Sequence, residues 1–260
     1  MQYFIAPECN ILYNYFIDII GDNMRRTLII AIVFVLTFVS CFGINALLEK
    51  SSAVHSNYIT SKYSIVLDAG HGGIDAGTLA ADGTLEKDIN LAIVLDLYDF
   101  LTFCGINCYK IRSEDEQYYP SGSDTNRSDL YNRLDFVNGI DNSILVSIHQ
   151  NHFEDPLEWG MQVWYTANVE SSQLLADDIL NITKQFLQPD NKRMNKVSDS
   201  SYYILYKASV PSVMVECGFM SNQNENYKLK SDEYRKQLAY TITMGINQYL
   251  YKDIYEENYG

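Results

Sequence analysis

Two histidines and two glutamates stand where this chain could assemble a catalytic metal centre. His71 lies in Asp68-Ala69-Gly70-His71-Gly72-Gly73, His149 in Ser147-Ile148-His149-Gln150-Asn151, and Glu216 in Val215-Glu216-Cys217-Gly218-Phe219. Each of these polar islands directly follows a short apolar run, at residues 64–67, 144–146 and 212–214. Glu86 lies in Gly83-Thr84-Leu85-Glu86-Lys87-Asp88, just ahead of a helical pattern. Two imidazoles and one carboxylate form a three-ligand zinc set with a fourth position left for water. His71, Glu86 and His149 are therefore candidate ligands. Zinc can lower the pKa of such a water from about 15.7 to about 7. Glu216 adds a carboxylate that can accept the water's proton and pass it to a leaving nitrogen, a role whose loss typically costs about 10²- to 10⁴-fold in rate.

Taken one at a time, these groups have plainer readings. The histidines could be hydrogen-bonded core residues, Glu86 solvated helix-start charge and Glu216 half of a buried ion pair. Taken together, polar groups at three strand ends with a further carboxylate nearby point to a convergent site. His152 reads as an exposed rim histidine and His55 as part of a linker.

Strand and helix signals alternate from residue 63 onward. Strands are expected at 64–67, 106–111, 144–148, 161–165, 202–206 and 212–215. Ile89, Ile93, Leu97 and Phe100 mark one helix, which Gly105 should stop; Ser128 can cap another carrying Leu130, Leu134 and Val137. Residues 174–187 read as helical and 188–200 as a loop. A last helix carries Tyr234, Leu238, Ile242, Ile246 and Tyr249, followed by an acidic tail at 252–260. The expected fold is α/β, with a mostly parallel twisted sheet and helices on both faces. In such sheets functional groups gather outside the carboxyl ends of the strands.

The chain has 260 residues, 47% hydrophobic and 13% aromatic, enough for one sizeable core over 63–251. Its formal net charge of −14 argues against a nucleic-acid partner and against polybasic adhesion to anionic lipids. Five cysteines without C-x-x-C spacing give neither a disulfide framework nor a structural zinc pattern, although a Cys104–Cys108 bridge is conceivable. Residues 24–48 read as a signal-anchor: Arg25 and Arg26 precede the apolar stretch 27–48. At about 1.5 Å per residue that stretch can cross a hydrocarbon layer of roughly 30 Å. The arginines on its amino side leave the bulk of the chain outside the cytoplasm. Residues 49–62 read as a linker, and 1–23 either as a start-site artefact or as a short cytoplasmic tail.

The motifs resemble those of the zinc-dependent N-acetylmuramoyl-L-alanine amidases of bacterial cell walls, the amidase-3 family. They are Leu67 through Gly77, Glu86-Lys87-Asp88, Arg133 with Asn138, Ser147 through Asn151, and Pro211 through Asn222. The resemblance implies one zinc ion held by His71, Glu86 and His149, with Glu216 as the catalytic carboxylate. It also implies hydrolysis of the amide between N-acetylmuramic acid and the L-alanine of the peptidoglycan stem peptide. Asp75 and Asn151 match positions that orient ligands or substrate. Gln150 and His152 depart from the small residues usual there, which could alter the groove edge. An amino-terminal anchor on a bare amidase domain is similar to the germination-specific, CwlD-type amidases of spore formers. That likeness implies a place in the spore envelope, action on cortex as a step towards muramic-δ-lactam, and an accessory protein as a possible partner. A catalytically silent peptidoglycan-binding protein, or a zinc hydrolase of another peptide or poly-γ-glutamate amide, are the alternatives.

Overall fold

Alternation along three buried strands decides which side chains share a face. In the computed structural model, which describes residues 62–119 and 128–259 with side chains as far as Lys252, these are β1 (Ser64–Ala69), β3 (Ser143–Asn151) and β6 (Ser212–Phe219). They lie side by side and parallel, Leu67 beside Val146 and Val146 beside Val213. β2 (Cys108–Lys110) pairs parallel with the free side of β1. On the other side, β4 (Gln162–Tyr165) runs antiparallel to β6, and β5 (Lys196–Val197) parallel to β4. The sheet order is β2-β1-β3-β6-β4-β5, mostly parallel with one antiparallel pair.

Odd positions of β1 and β6 and even positions of β3 point to one face. There Leu67, Val146 and Val215 pack on α1 (Glu86–Phe103), α3 (Ser171–Phe186) and α6 (Asp232–Tyr259) through Ile93, Ile179 and Ile242. The opposite face carries a smaller cluster, in which Val66 and Leu145 meet α2 (Asp129–Asn138) and α4 (Tyr203–Lys207). A side-chain period of two then sends Asp68, Ser147, His149 and Glu216 to this thinly covered face. Long helices support the sheet from behind, and the polar strand ends face the cleft.

Several expectations need correction. Residues 202–206 form helix α4 rather than a strand. Ile204, Leu205 and Ala208 are all buried, a helical spacing, whereas a strand would turn adjacent Ile204 and Leu205 to opposite sides. The 188–200 loop contains β5, and an unexpected helix, α5 (Gln223–Leu229), is capped by the Asn222 side chain accepting from the backbone of Asn224 and Glu225. The last helix continues into the acidic segment at 252–259. Ser128 occupies the cap position of α2 without a side-chain cap bond. Cys104 and Cys108 are free thiols. No helix among the described residues is long and apolar enough to cross a membrane. The expected extension at 1–23, the anchor at 24–48 and the linker up to residue 61, with His55, lie outside the described residues.

Candidate metal centre

β1 ends at Ala69, and the chain then enters a tight coil in which His71 itself takes a positive φ of 63°. That conformation is costly for a residue with a Cβ and persists only where its surroundings impose it. Gly72 and Asp75 exchange backbone hydrogen bonds of 2.9 and 3.1 Å across the coil. Two buried arginines clamp its carbonyls. Arg112 donates to the oxygens of Ala69 (2.8 Å), Gly70 (3.1 Å) and Lys87 (2.9 Å). Arg133 donates to those of Ala69 (2.8 Å) and His71 (2.7 Å). The Arg133 charge is balanced by Asp68 at 2.6 Å and Asp129 at 2.8 Å. Burial would raise the Asp68 pKa, but Arg133 and the Ser147 hydroxyl hold it below the usual carboxylate range.

This coil aims His71 at Glu86, the first residue of α1. Nδ1 of His71 lies 2.8 Å from Oδ2 of Asp75, which leaves Nε2 towards Glu86 Oε1, at 3.3 Å. Nδ1 of His149 lies 3.0 Å from the same oxygen. The three donor atoms fall within 4.8 Å of one another. A tetrahedral ion with bonds of about 2.0–2.2 Å keeps its ligands roughly 3.3 Å apart, so these spacings fit zinc. Glu86 is fixed further by the backbone N–H groups of Thr78 (2.8 Å) and Gln150 (3.0 Å). Burial opposes its ionisation, but the two histidines overcome that and hold its pKa well below the ordinary value. Burial likewise disfavours a charged His71, yet Glu86 and then Asp75 raise it to about 9. Gly77 has a φ of 65°, and a methyl there would meet His71 Cδ2 at 2.6 Å and Glu86 Oε2 at 2.7 Å. Its missing side chain makes room for two ligands.

Glu216 pairs in register with His149 on the neighbouring strand. It is buried, and its Oε2 has no hydrogen-bond partner. Burial raises its pKa to about 7; His149 pulls it down, Glu86 pushes it up and His71 pulls it down. His71, His149 and Glu216 line one cavity of about 500 Å³. A buried carboxylate with one oxygen unpartnered, on a residue that lines the same cavity as His71 and His149, suits proton transfer to and from a bound molecule.

Asp75 thus reaches the donor set through His71. Asn151 does not: its Oδ1 accepts from the His152 backbone at 2.8 Å and finishes the strand. His152 is exposed, as expected, but Gln150 is buried behind Glu86 and bonded to Asn90 at 3.1 Å, away from any groove edge. In the sequence Arg112 carries no signal beyond following the strand pattern at 106–111. Arg133 stood there as a motif position without a physical role.

A family model described as N-acetylmuramoyl-L-alanine amidase matches residues 65–248. The chain is 32% identical over 192 residues to the uncharacterised protein YqiI of Bacillus subtilis, covering 72% of this chain and 84% of that one. It is 27% identical over 189 residues to the germination-specific N-acetylmuramoyl-L-alanine amidase of the same organism, covering 71% and 78% respectively. Among solved structures, the CwlD amidase of Clostridioides difficile, determined in complex with the GerS lipoprotein, superposes with a TM-score of 0.68. That match has 36% identity and covers 73% of this chain and 99% of that one. The convergence of His71, Glu86 and His149 and the match over residues 65–248 make this chain a member of the N-acetylmuramoyl-L-alanine amidase family, whose members hydrolyse peptidoglycan.

Proposed function

We propose that this protein is a zinc-dependent amidase that cleaves N-acetylmuramic acid from the L-alanine of peptidoglycan stem peptides. One observation carries the reading: the donor atoms of His71, Glu86 and His149 converge beside the unpartnered Oε2 of Glu216. When bound there, zinc supplies Lewis acidity, acidifying water and polarising the amide carbonyl. Glu216 takes the proton from the attacking water and hands it to the departing alanine nitrogen, which cannot leave as an anion. A carboxyl with a pKa raised to about 7 can both accept and release that proton near neutral pH. Asp75 holds the His71 ring so that Nε2 points towards Glu86, where it would be free to bind the ion. Arg112 and Arg133 hold the coil on which that ring stands.

The biological setting belongs to the same proposal. Similarity to a germination-specific amidase and to the CwlD amidase supports action on spore cortex, as a step towards muramic-δ-lactam. The apolar segment 27–48 would tether the domain outside the cytoplasm, at the spore envelope. Because the CwlD amidase was solved with a lipoprotein, an accessory protein that supports zinc binding is part of the reading.

The test uses the full-length chain, with bound metal quantified and cortex muropeptides as substrate. Products read by mass spectrometry should be muramic acid freed of its whole stem, together with a stem peptide beginning in alanine. Cleavage inside the stem would establish a different amide hydrolase. Binding without cleavage, with zinc present, would establish a silent wall-binding protein.

A further inference from the structure

Behind Glu86, on the sheet face turned away from the cleft, lie two buried amide side chains that no step of the hydrolysis uses. Gln150 sits where strand β3 is irregular, its register against β6 shifting between His149 and Asn151. Irregularities of this kind re-aim side chains next to active sites. The Gln150 backbone N–H donates to Glu86 Oε1 at 3.0 Å. Its side chain, at an even position of β3, turns to the face covered by α1. There it meets Asn90, which stands one helical turn after Glu86 and is 0% exposed.

The neighbours of the Asn90 amide fix which way it points. One end faces two acceptors, the Gly70 carbonyl at 3.1 Å and Glu86 Oε1 at 3.4 Å, so that end is the NH2 group. The other end, Oδ1, accepts from Gln150 Nε2 at 3.1 Å. Without Gln150 that buried oxygen would lose its partner, a cost that favours any rearrangement of the amide. Both ends bear on the metal centre. Glu86 is one donor, and Gly70 carries the bare Cα against which the His149 ring lies. One buried amide therefore sets the oxygen of one ligand and the seat of another. Gln150 donates to it while leaving its own Oε1 unpartnered. A side chain kept only to fill space would carry no such cost, and the motif this chain resembles has a small residue there.

We infer that Gln150 is a positioning residue of the metal centre: through Asn90 it holds Glu86 Oε1 and the Gly70 carbonyl where zinc needs them. The inference rests on the zinc reading above and adds a side chain that acts on the ligands through another side chain. Its backbone bond to Glu86 survives any substitution, so replacing the side chain isolates this action.

The experiment measures the zinc affinity of the full-length chain by competition with a coloured chelator. Gln150→Met keeps the volume and donates nothing, so affinity should fall about ten-fold, as for loss of a group that orients a ligand. Gln150→Ala makes room for a water that donates to Asn90 Oδ1, so its affinity should lie between those of the parent and Gln150→Met. Packing alone predicts the reverse order, because a volume-conserving exchange disturbs a core less than a cavity does. In an Asn90→Ala background, adding Gln150→Met should cost no further affinity. Parent-like affinity in Gln150→Met, a larger loss in Gln150→Ala, or losses that add to that of Asn90→Ala overturn the inference. Should Gln150→Met fail to fold, Gln150→Ala with and without Asn90→Ala decides the question, and no loss or additive losses overturn it. A parent chain that takes up no zinc removes the zinc reading and this inference together. Zinc uptake by the parent with affinity unmoved in Gln150→Met removes the inference alone.

Discussion

A methyl group on Gly70 would lie 2.1 Å from Nε2 of His149. The imidazole of one strand end therefore rests on the bare backbone of its neighbour, and the Nδ1 that faces Glu86 is set by that contact. Gly70→Ala should push the ring out of the donor set. We expect zinc content well below one per chain and a stability loss of about 1–3 kcal/mol, as for other overpacked sites. Metal analysis and urea unfolding check the two effects separately.

Glu216→Gln keeps the shape of the side chain and removes its proton chemistry. Muropeptide cleavage should fall by about 10²- to 10⁴-fold. Zinc content should stay at the parent level, because Glu216 is outside the donor triad. Loss of metal together with activity would instead make Glu216 a ligand.

Asp75→Asn should act on the metal rather than on the proton. The carboxylate holds Nδ1 of His71 at 2.8 Å, and replacing such a partner commonly costs about 10- to 100-fold in metal affinity. Competition with a coloured chelator measures this directly, and activity should return when zinc is raised to saturation.

The metal-free protein should respond to alkali. His71 is raised from 6.5 to about 9 in the folded state, so its protonation stabilises the fold fully below about pH 6.5. That contribution is lost as pH climbs through about 9, and the Tm of chelator-treated protein should fall across this window. For the same reason zinc uptake near pH 7 should release close to one proton from His71. Titration calorimetry in buffers of differing ionisation heat will count it.

Arg133→Gln removes the buried partner shared by Asp68 and Asp129 and frees the carbonyl of His71. Breaking a buried pair from one side costs about 3–5 kcal/mol. Chemical denaturation should show a loss of that size, and zinc should dissociate faster because the coil carrying His71 has lost a clamp.

The parts of this site that announce themselves along the chain are those set by local chemistry. His149 and Glu216 stand out because polar residues end apolar runs, and His71 because glycines surround it. The direction of β4 was not legible, since a period of two is the same in parallel and antiparallel strands. Residues 202–206 misled because aromatic, β-forming types surround the adjacent Ile204 and Leu205, and burial of that pair is seen only once α4 is packed. α5 has little apolar periodicity and is held by Asn222 and by Glu225, which accepts from Gly160 and Phe219. Buried arginines are the hardest to foresee. Arg112 and Arg133 look like ordinary surface charge until the carbonyls they serve are brought beside them by the fold.

The unequal cover of the two sheet faces has a consequence for how this scaffold can change. Most of the apolar interior lies with α1, α3 and α6 on the side away from the cleft. Exchanges around Leu130 and Tyr203 can therefore reshape what enters the cleft while the buttressing layer stays intact. Selectivity and fold durability are written into opposite sides of one sheet, so a breeder of new hydrolases can edit the first without rewriting the second.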